Sequence, residues 1–132
     1  ASTSGTSFAD TGLSANITPS STSSKIFIVC NLGLVSTSTS DGVLFKLLRD
    51  STEIGQGTGG TQYRFMAAYM NANNEFYSYS NSFLDSPSTT SSITYKLQFR
   101  MSGGTDTGYI NRRASDTFAV TSSNFTLMEI AQ

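Results

Sequence analysis

The sequence predicts an all-β fold, an antiparallel two-sheet β-sandwich or jelly roll of about eight strands, and three observations carry that prediction. Ile93-Thr94-Tyr95-Lys96-Leu97-Gln98-Phe99-Arg100-Met101 alternates large apolar with polar residues without exception, the period of a strand with one dry and one wet face. Eleven Gly, 11% aromatic residues and abundant Ser and Thr suit short strands joined by turns. Apolar runs of strand length recur between clusters of Ser, Thr, Asn, Gly and Pro, the residues of turns.

The elements follow in order. Ala1 to Thr6 is small and polar and reads as a linker from something upstream, with one sandwich domain over residues 7–132. The opening at Ala1 rather than Met reads as a fragment or a processed product. Ser7 to Thr18 is a first strand, alternating at Leu13, Ala15 and Ile17 and broken near Asp10-Thr11-Gly12. Pro19 to Ser24 is a turn. Lys25 to Leu34 is apolar on both faces, which suits a strand between two layers or at a subunit contact. Val35 to Gly42 reads as a loop ending in the turn dipeptide Asp-Gly.

Val43 to Arg49 is the third strand, followed by a long loop from Asp50 to Gly60 with a short extended piece at Glu53-Ile54. Tyr63 to Met70 alternates imperfectly and is expected as a strand, although Met66-Ala67-Ala68 also suits a helical turn. Asn71 to Asn74 is a turn. Phe76 to Leu84 alternates, with Tyr77, Tyr79 and Phe83 expected inward. After the Ile93–Met101 strand come a short piece at Thr107–Arg112, an irregular one at Phe118-Ala119-Val120 and a last strand at Phe125–Ile130.

Charge and composition narrow the function. Charged residues make up 13% of the chain and the net charge is -1, without the basic excess of a nucleic-acid binder. A single Cys forms no internal disulfide, and no apolar run has the length of a membrane span. With no His, the usual general base and commonest metal ligand are missing, and the nine acids are dispersed. No catalytic residue, metal site or cofactor is therefore assigned.

Each remaining motif has a plainer reading. Gly55-Gln56-Gly57-Thr58-Gly59-Gly60 resembles a phosphate-cradling loop but is followed by an expected strand rather than a helix, so it reads as a connection. Cys30 lies in an apolar strand and reads as an inert thiol. Asn16-Ile17-Thr18 and Asn124-Phe125-Thr126 match the glycosylation pattern by chance in so Ser/Thr-rich a chain. Tyr77 and Tyr79 could stack on sugars, though alternating strand aromatics are usually core. Arg112-Arg113 suits a solvated turn, an intersubunit ion pair or a receptor contact.

A resemblance adds to this reading. Ile17 to Lys25, Lys46 to Gly55, Phe83 to Thr90 leading into Tyr95-Lys96-Leu97-Gln98, Gly108 to Arg113 and the ending Thr126 to Ile130 resemble C-terminal domains of bacteriophage tail fibres and related virion proteins. The layout is also similar to the trimeric jelly rolls of the tumour-necrosis-factor and complement C1q type. The resemblance implies a non-enzymatic homotrimeric tip on the virion surface that binds a bacterial surface receptor, a glycan or a protein. Two alternatives stay open: a structural trimerisation or decoration module without ligand, and a bacterial adhesin built on the same domain.

Residue candidates follow for both roles. Surplus apolar side chains at Phe27, Val29, Leu44, Leu48, Met128 and Ile130 suit a threefold interface. With eight strands alternating in direction, Pro19–Ser24, Ser51–Gln62, Asp85–Ser92 and Arg113–Asn124 share the end away from the linker and the C-terminus. Gln56, Asp85, Arg112, Arg113, Asp116 and Asn124 there, with Tyr63 and Arg64 at a loop edge, are the candidate ligand contacts.

Overall fold

The computed structural model describes residues 1–60, 64–72, 74–104 and 106–132. Among these there are ten strands and no helix. They are β1 (Ser2–Ser4), β2 (Ala9–Ile17), β3 (Lys25–Thr37), β4 (Asp41–Arg49), β5 (Thr52–Ile54), β6 (Met66–Met70), β7 (Tyr77–Asp85), β8 (Ile93–Met101), β9 (Thr107–Ile110) and β10 (Asn124–Ile130). Two antiparallel sheets result. In the first, β3 has β7 on one side and β10 and β9 end to end on the other, with β1 beyond β9. In the second, β4 has β8 on one side and β5 and β6 end to end on the other, with β2 beyond β8.

The Ile93–Met101 strand has the bounds its alternation predicts, and its odd residues are all buried. The break expected in the first strand is a bulge: the β2–β8 register slips between Asp10 and Ser14. Gly12 sits there at φ 86°, and the Thr11 hydroxyl donates to the Leu97 carbonyl at 2.8 Å. The inner faces of β3, β4 and β8 meet in one core, with Phe45 stacked on Phe99 at 6.2 Å. Each large side chain buried there contributes about 1.5–3 kcal/mol.

Four expectations are corrected. Residues 2–4, expected as linker, are strand β1, which pairs with β9 and buries Thr3. The loop expected from Val35 is strand as far as Thr37, because Val35 is buried and pairs with both Ile110 and Tyr77. Tyr79 and Phe83 do turn inward, but Tyr77, the first residue of β7, is 48% exposed although it pairs with buried Val35. The part of the Tyr63–Met70 strand at Tyr63 lies outside the described residues, and β6 begins at Met66.

The fourth correction concerns direction. β9 and β10 both run antiparallel to β3, so they form one path interrupted by residues 111–123 and not a reversal. β5 and β6 pass β4 in the same way, interrupted by residues 55–65. The sandwich therefore has residues 18–24, 50–51 and 86–92 at its Lys25 end, together with the C-terminus. Residues 5–8, 38–40, 71–72, 74–76, 102–104 and 106 cluster at the Thr37 end, and the two excursions leave the flanks.

Candidate functional site

The excursion between β9 and β10 carries Phe118, the most exposed large apolar side chain among the described residues. It opens at Asn111, whose φ of 69° turns the chain out of the sheet and whose N–H donates to the Leu34 carbonyl at 2.7 Å. Its limbs pair as a small hairpin: Arg113 N–H donates to Ala119 carbonyl at 3.2 Å, and Thr121 N–H donates to Asn111 carbonyl at 3.1 Å. The returning limb crosses Gly33 so closely that a Cβ there would overlap Thr121 and the Ser122 carbonyl, with Thr121 Cβ at 2.8 Å. Only glycine admits this crossing. Ser123 Oγ ties it down by accepting from Gly33 N–H at 3.0 Å and donating to Asn111 Oδ1 at 2.6 Å.

Three predicted contacts meet on this hairpin. Arg113 Nε donates to Asp116 Oδ1 at 2.9 Å, and the same oxygen accepts from Phe118 N–H at 2.9 Å. These bonds, Arg113 first, hold the Asp116 carboxyl below its ordinary range. The Arg113 guanidinium lies 5.1 Å from the Phe118 ring, and that of Arg112 lies 4.7 Å from Tyr109. The tip is thus braced by polar contacts while Phe118 and Val120 stand 84% and 68% exposed. Nothing in the local sequence marks Phe118 as exposed, because its exposure depends on the hairpin leaving the sheet.

The other candidates separate. Gln56 is exposed in the Gly-rich loop, where a shallow hollow is lined by Gln56, Gly57, Thr58 and Gly59. Arg64 lies 3.9 Å from Glu53 on the opposite sheet from the hairpin. Tyr63 lies outside the described residues. Asp85 is 6% exposed and accepts from Arg49 and Tyr95, so it is a structural residue, not a ligand contact. Asn124 accepts from Asn31 Nδ2 at 2.9 Å within a polar rung that Ser80 extends. The shared end expected for these loops does not exist for Arg113–Asn124, since that segment leaves a flank and the C-terminus lies at the Lys25 end.

The candidate interface residues also fall into two groups. Phe27, Val29, Met128 and Ile130 share the outer face of the first sheet, where Met128, Phe27 and Leu84 form one row across three strands. Met128 and Leu84 are 45% and 44% exposed. Asn124, Thr126, Asn31, Ser80 and Ser82 continue this face, and Lys25 is the charge at its edge. Leu44 and Leu48 belong to the outer face of the second sheet and are already buried, in register with Arg100 and Lys96. Lys96 keeps its head partly in water, whereas Arg100 is itself buried and its Nη1 donates to the Met101 carbonyl at 2.7 Å.

Cys30 is fully buried, and burial pushes its thiol up to about 12. A cavity of about 310 Å³ opens at the β2 bulge, lined by Asp10, Gly12, Leu13, Ser14, Thr94, Lys96 and Leu97. Among the described residues, no three Cys, Asp or Glu side chains gather closely enough to hold a metal ion. No protein-family model matches the chain, and no curated protein matches it significantly.

Proposed function

We propose that this chain is the tip domain of a homotrimeric fibre, of the bacteriophage tail-fibre kind, which attaches without catalysis to a receptor on a bacterial surface. The braced hairpin at residues 111–123 carries the reading: an aromatic side chain 84% exposed on a fixed support is built to meet a partner. Strand order supports the jelly-roll part. Taking β5 with β6 and β9 with β10 as single interrupted strands, the sheets run 1-8-3-6 and 2-7-4-5, the order of two interlocked Greek keys. The row of Met128, Phe27 and Leu84 on a nearly uncharged face supports self-association, since symmetric contacts set identical residues near one another.

A trimerisation module without ligand is the second reading, and that same outer-face row favours it. Incubating the purified chain with a panel of bacterial cells, alongside light scattering, separates the two. A trimer that binds a subset of the strains is the expected result. A trimer that binds no cell surface supports the structural module, and a monomer at micromolar concentration removes both.

A further inference from the structure

The bulge in β2 makes room for a ligand. Between the pairs Asp10–Gln98 and Ser14–Lys96, the residues Thr11, Gly12 and Leu13 stand opposite Leu97 alone. The extra residues lift the β2 backbone away from β8, and buried Thr11 holds the gap by donating its hydroxyl to the Leu97 carbonyl at 2.8 Å. The cavity of about 310 Å³ lies at this gap, at the lower end of the range of small-molecule sites. Gly12 borders it where an added Cβ would meet no atom within 4 Å.

The polar groups around the cavity keep unused hydrogen-bonding capacity. Asp10 Oδ1 accepts from Gln98 Nε2 at 2.6 Å, and Oδ2 has no donor among the described residues. Lys96 Nζ lies 3.7 Å from that same Oδ1, an ion pair too long for a hydrogen bond, so its N–H groups are open to a ligand. The Ser14 and Thr94 hydroxyls also line the cavity, and Leu13 adds apolar surface. Asp10 and Lys96 cancel in charge, so the site favours neither an anion nor a cation.

We propose that this cavity binds one residue of a neutral sugar, at a site apart from the hairpin. A sugar hydroxyl both donates and accepts, and a vicinal pair matches an adjoining carboxylate and ammonium. One hydroxyl donates to Asp10 Oδ2 and its neighbour accepts from Lys96 Nζ, while the C–H face of the ring lies on Leu13. An acidic sugar fits less well because its carboxylate meets that of Asp10. A peptide also fits less well: it adds to a sheet as a strand along a regular edge, and the bulge interrupts the ladder here. As a receptor contact the site rests on the attachment reading and gives the class of receptor, a neutral glycan.

The test titrates the isotope-labelled full chain with glucose, galactose, mannose, N-acetylglucosamine and galacturonate, following backbone amides by NMR, with whole-cell binding measured in parallel. A ligand of about a dozen non-hydrogen atoms should bind with a dissociation constant on the order of 1 mM, so titration to about 50 mM approaches saturation. At least one neutral sugar should shift the Gly12, Ser14 and Lys96 amides saturably, and galacturonate should not. Asp10→Ala and Lys96→Met alter side chains 63% and 33% exposed, so melting should hold. Each should weaken the binding about tenfold, and Asp10→Asn, which keeps an acceptor oxygen, should weaken it less. No saturable shift, shifts centred elsewhere, equal shifts from galacturonate, or indifference to Asp10→Ala overturns the inference. Cells bound by a chain without this sugar site leave the attachment reading standing and remove this inference alone. A sugar site at the bulge in a chain that binds no cells keeps the cavity and removes its role in attachment.

Discussion

Tyr95 donates its phenolic hydrogen to Asp85 Oδ2 at 2.6 Å and so ties the second sheet to the first near the Lys25 end of the sandwich. Arg49 completes the cluster, its Nη1 lying 3.0 Å from both carboxylate oxygens. A hydrogen bond to a buried charge contributes about 1.5–3 kcal/mol. Tyr95→Phe should therefore lower the unfolding free energy by about that amount, because Asp85 keeps Arg49. Asp85→Ala should cost more, since it strands a buried phenol as well as a guanidinium. Urea denaturation of the two variants checks the order, and an Asp85→Ala variant as stable as Tyr95→Phe would contradict it.

Alkaline pH should destabilise the fold through two groups. Burial raises the Cys30 thiol from 9.0 to about 12. Burial first, then the bond to Asp85, raises the Tyr95 phenol above its ordinary 10.0. Both native groups hold protons that the unfolded chain releases, so their contribution is complete below pH 9 and is lost as pH climbs through the raised folded values. Melting temperature should hold steady between pH 7 and 8.5 and fall from about pH 9.5 upward, with a shallower fall for Cys30→Ala. Thiol reagent should label Cys30 slowly until denaturant is added. Melting unchanged to pH 11 would contradict this assignment.

Legibility in the sequence followed the range of the interaction. Strand β8 could be read because its alternation is local and uninterrupted, and the β2 break could be read because Asp-Thr-Gly is a local signal. Strand β1 could not: Ser2–Ser4 has no apolar pattern and exists because β9 offers it an edge. Direction was the larger loss. The turn residues around Asn111 and Gly55 signal departure from a strand, but not whether the chain returns on the same path. That ambiguity reversed the assignment of ends. At the candidate site, Arg112, Arg113 and Asp116 were legible as polar loop residues, while Asp85 looked the same and is buried by Arg49 and Tyr95 from distant strands.

Gly33 should tolerate no side chain. A Cβ would overlap Thr121 and the Ser122 carbonyl, part of the limb that Ser123 fastens. Gly33→Ala should destabilise by about 1–3 kcal/mol, in the range of overpacking, and loosen residues 111–123 first. Hydrogen exchange at Arg113 and Thr121, whose N–H groups close the hairpin, should accelerate before exchange in β8 changes. Unchanged exchange at those two amides would show that the crossing does not brace the hairpin.

Self-association should depend on the outer face of the first sheet. Light scattering at micromolar concentration should give about three times 14.1 kDa. Leu84→Lys and Met128→Lys alter side chains already half exposed in the protomer, so each fold should survive within about 0.5 kcal/mol. Each places three like charges near one another in a threefold contact and should shift the mass toward 14.1 kDa. Leu48→Ala, on the other sheet, should leave the mass unchanged, so a reversed pattern would move the interface to the second sheet.

Receptor binding should be lost from the flank before it is lost from either end of the sandwich. Phe118 has little to lose in the fold, being 84% exposed, so Phe118→Ala should leave melting and mass alone. If it anchors the contact, truncation should remove about 2 kcal/mol, roughly thirtyfold in affinity for cells. Arg112→Ala with Arg113→Ala should weaken binding by a different route. The double variant removes the guanidinium over Tyr109 and the pair with Asp116, releasing the ring that Arg113 holds at 5.1 Å. Asn74→Ala, in the 71–76 connection at the Thr37 end, should change nothing. Cell binding that survives the hairpin variants but fails with Asn74→Ala would place recognition at that end and leave the exposure of Phe118 without a role in attachment.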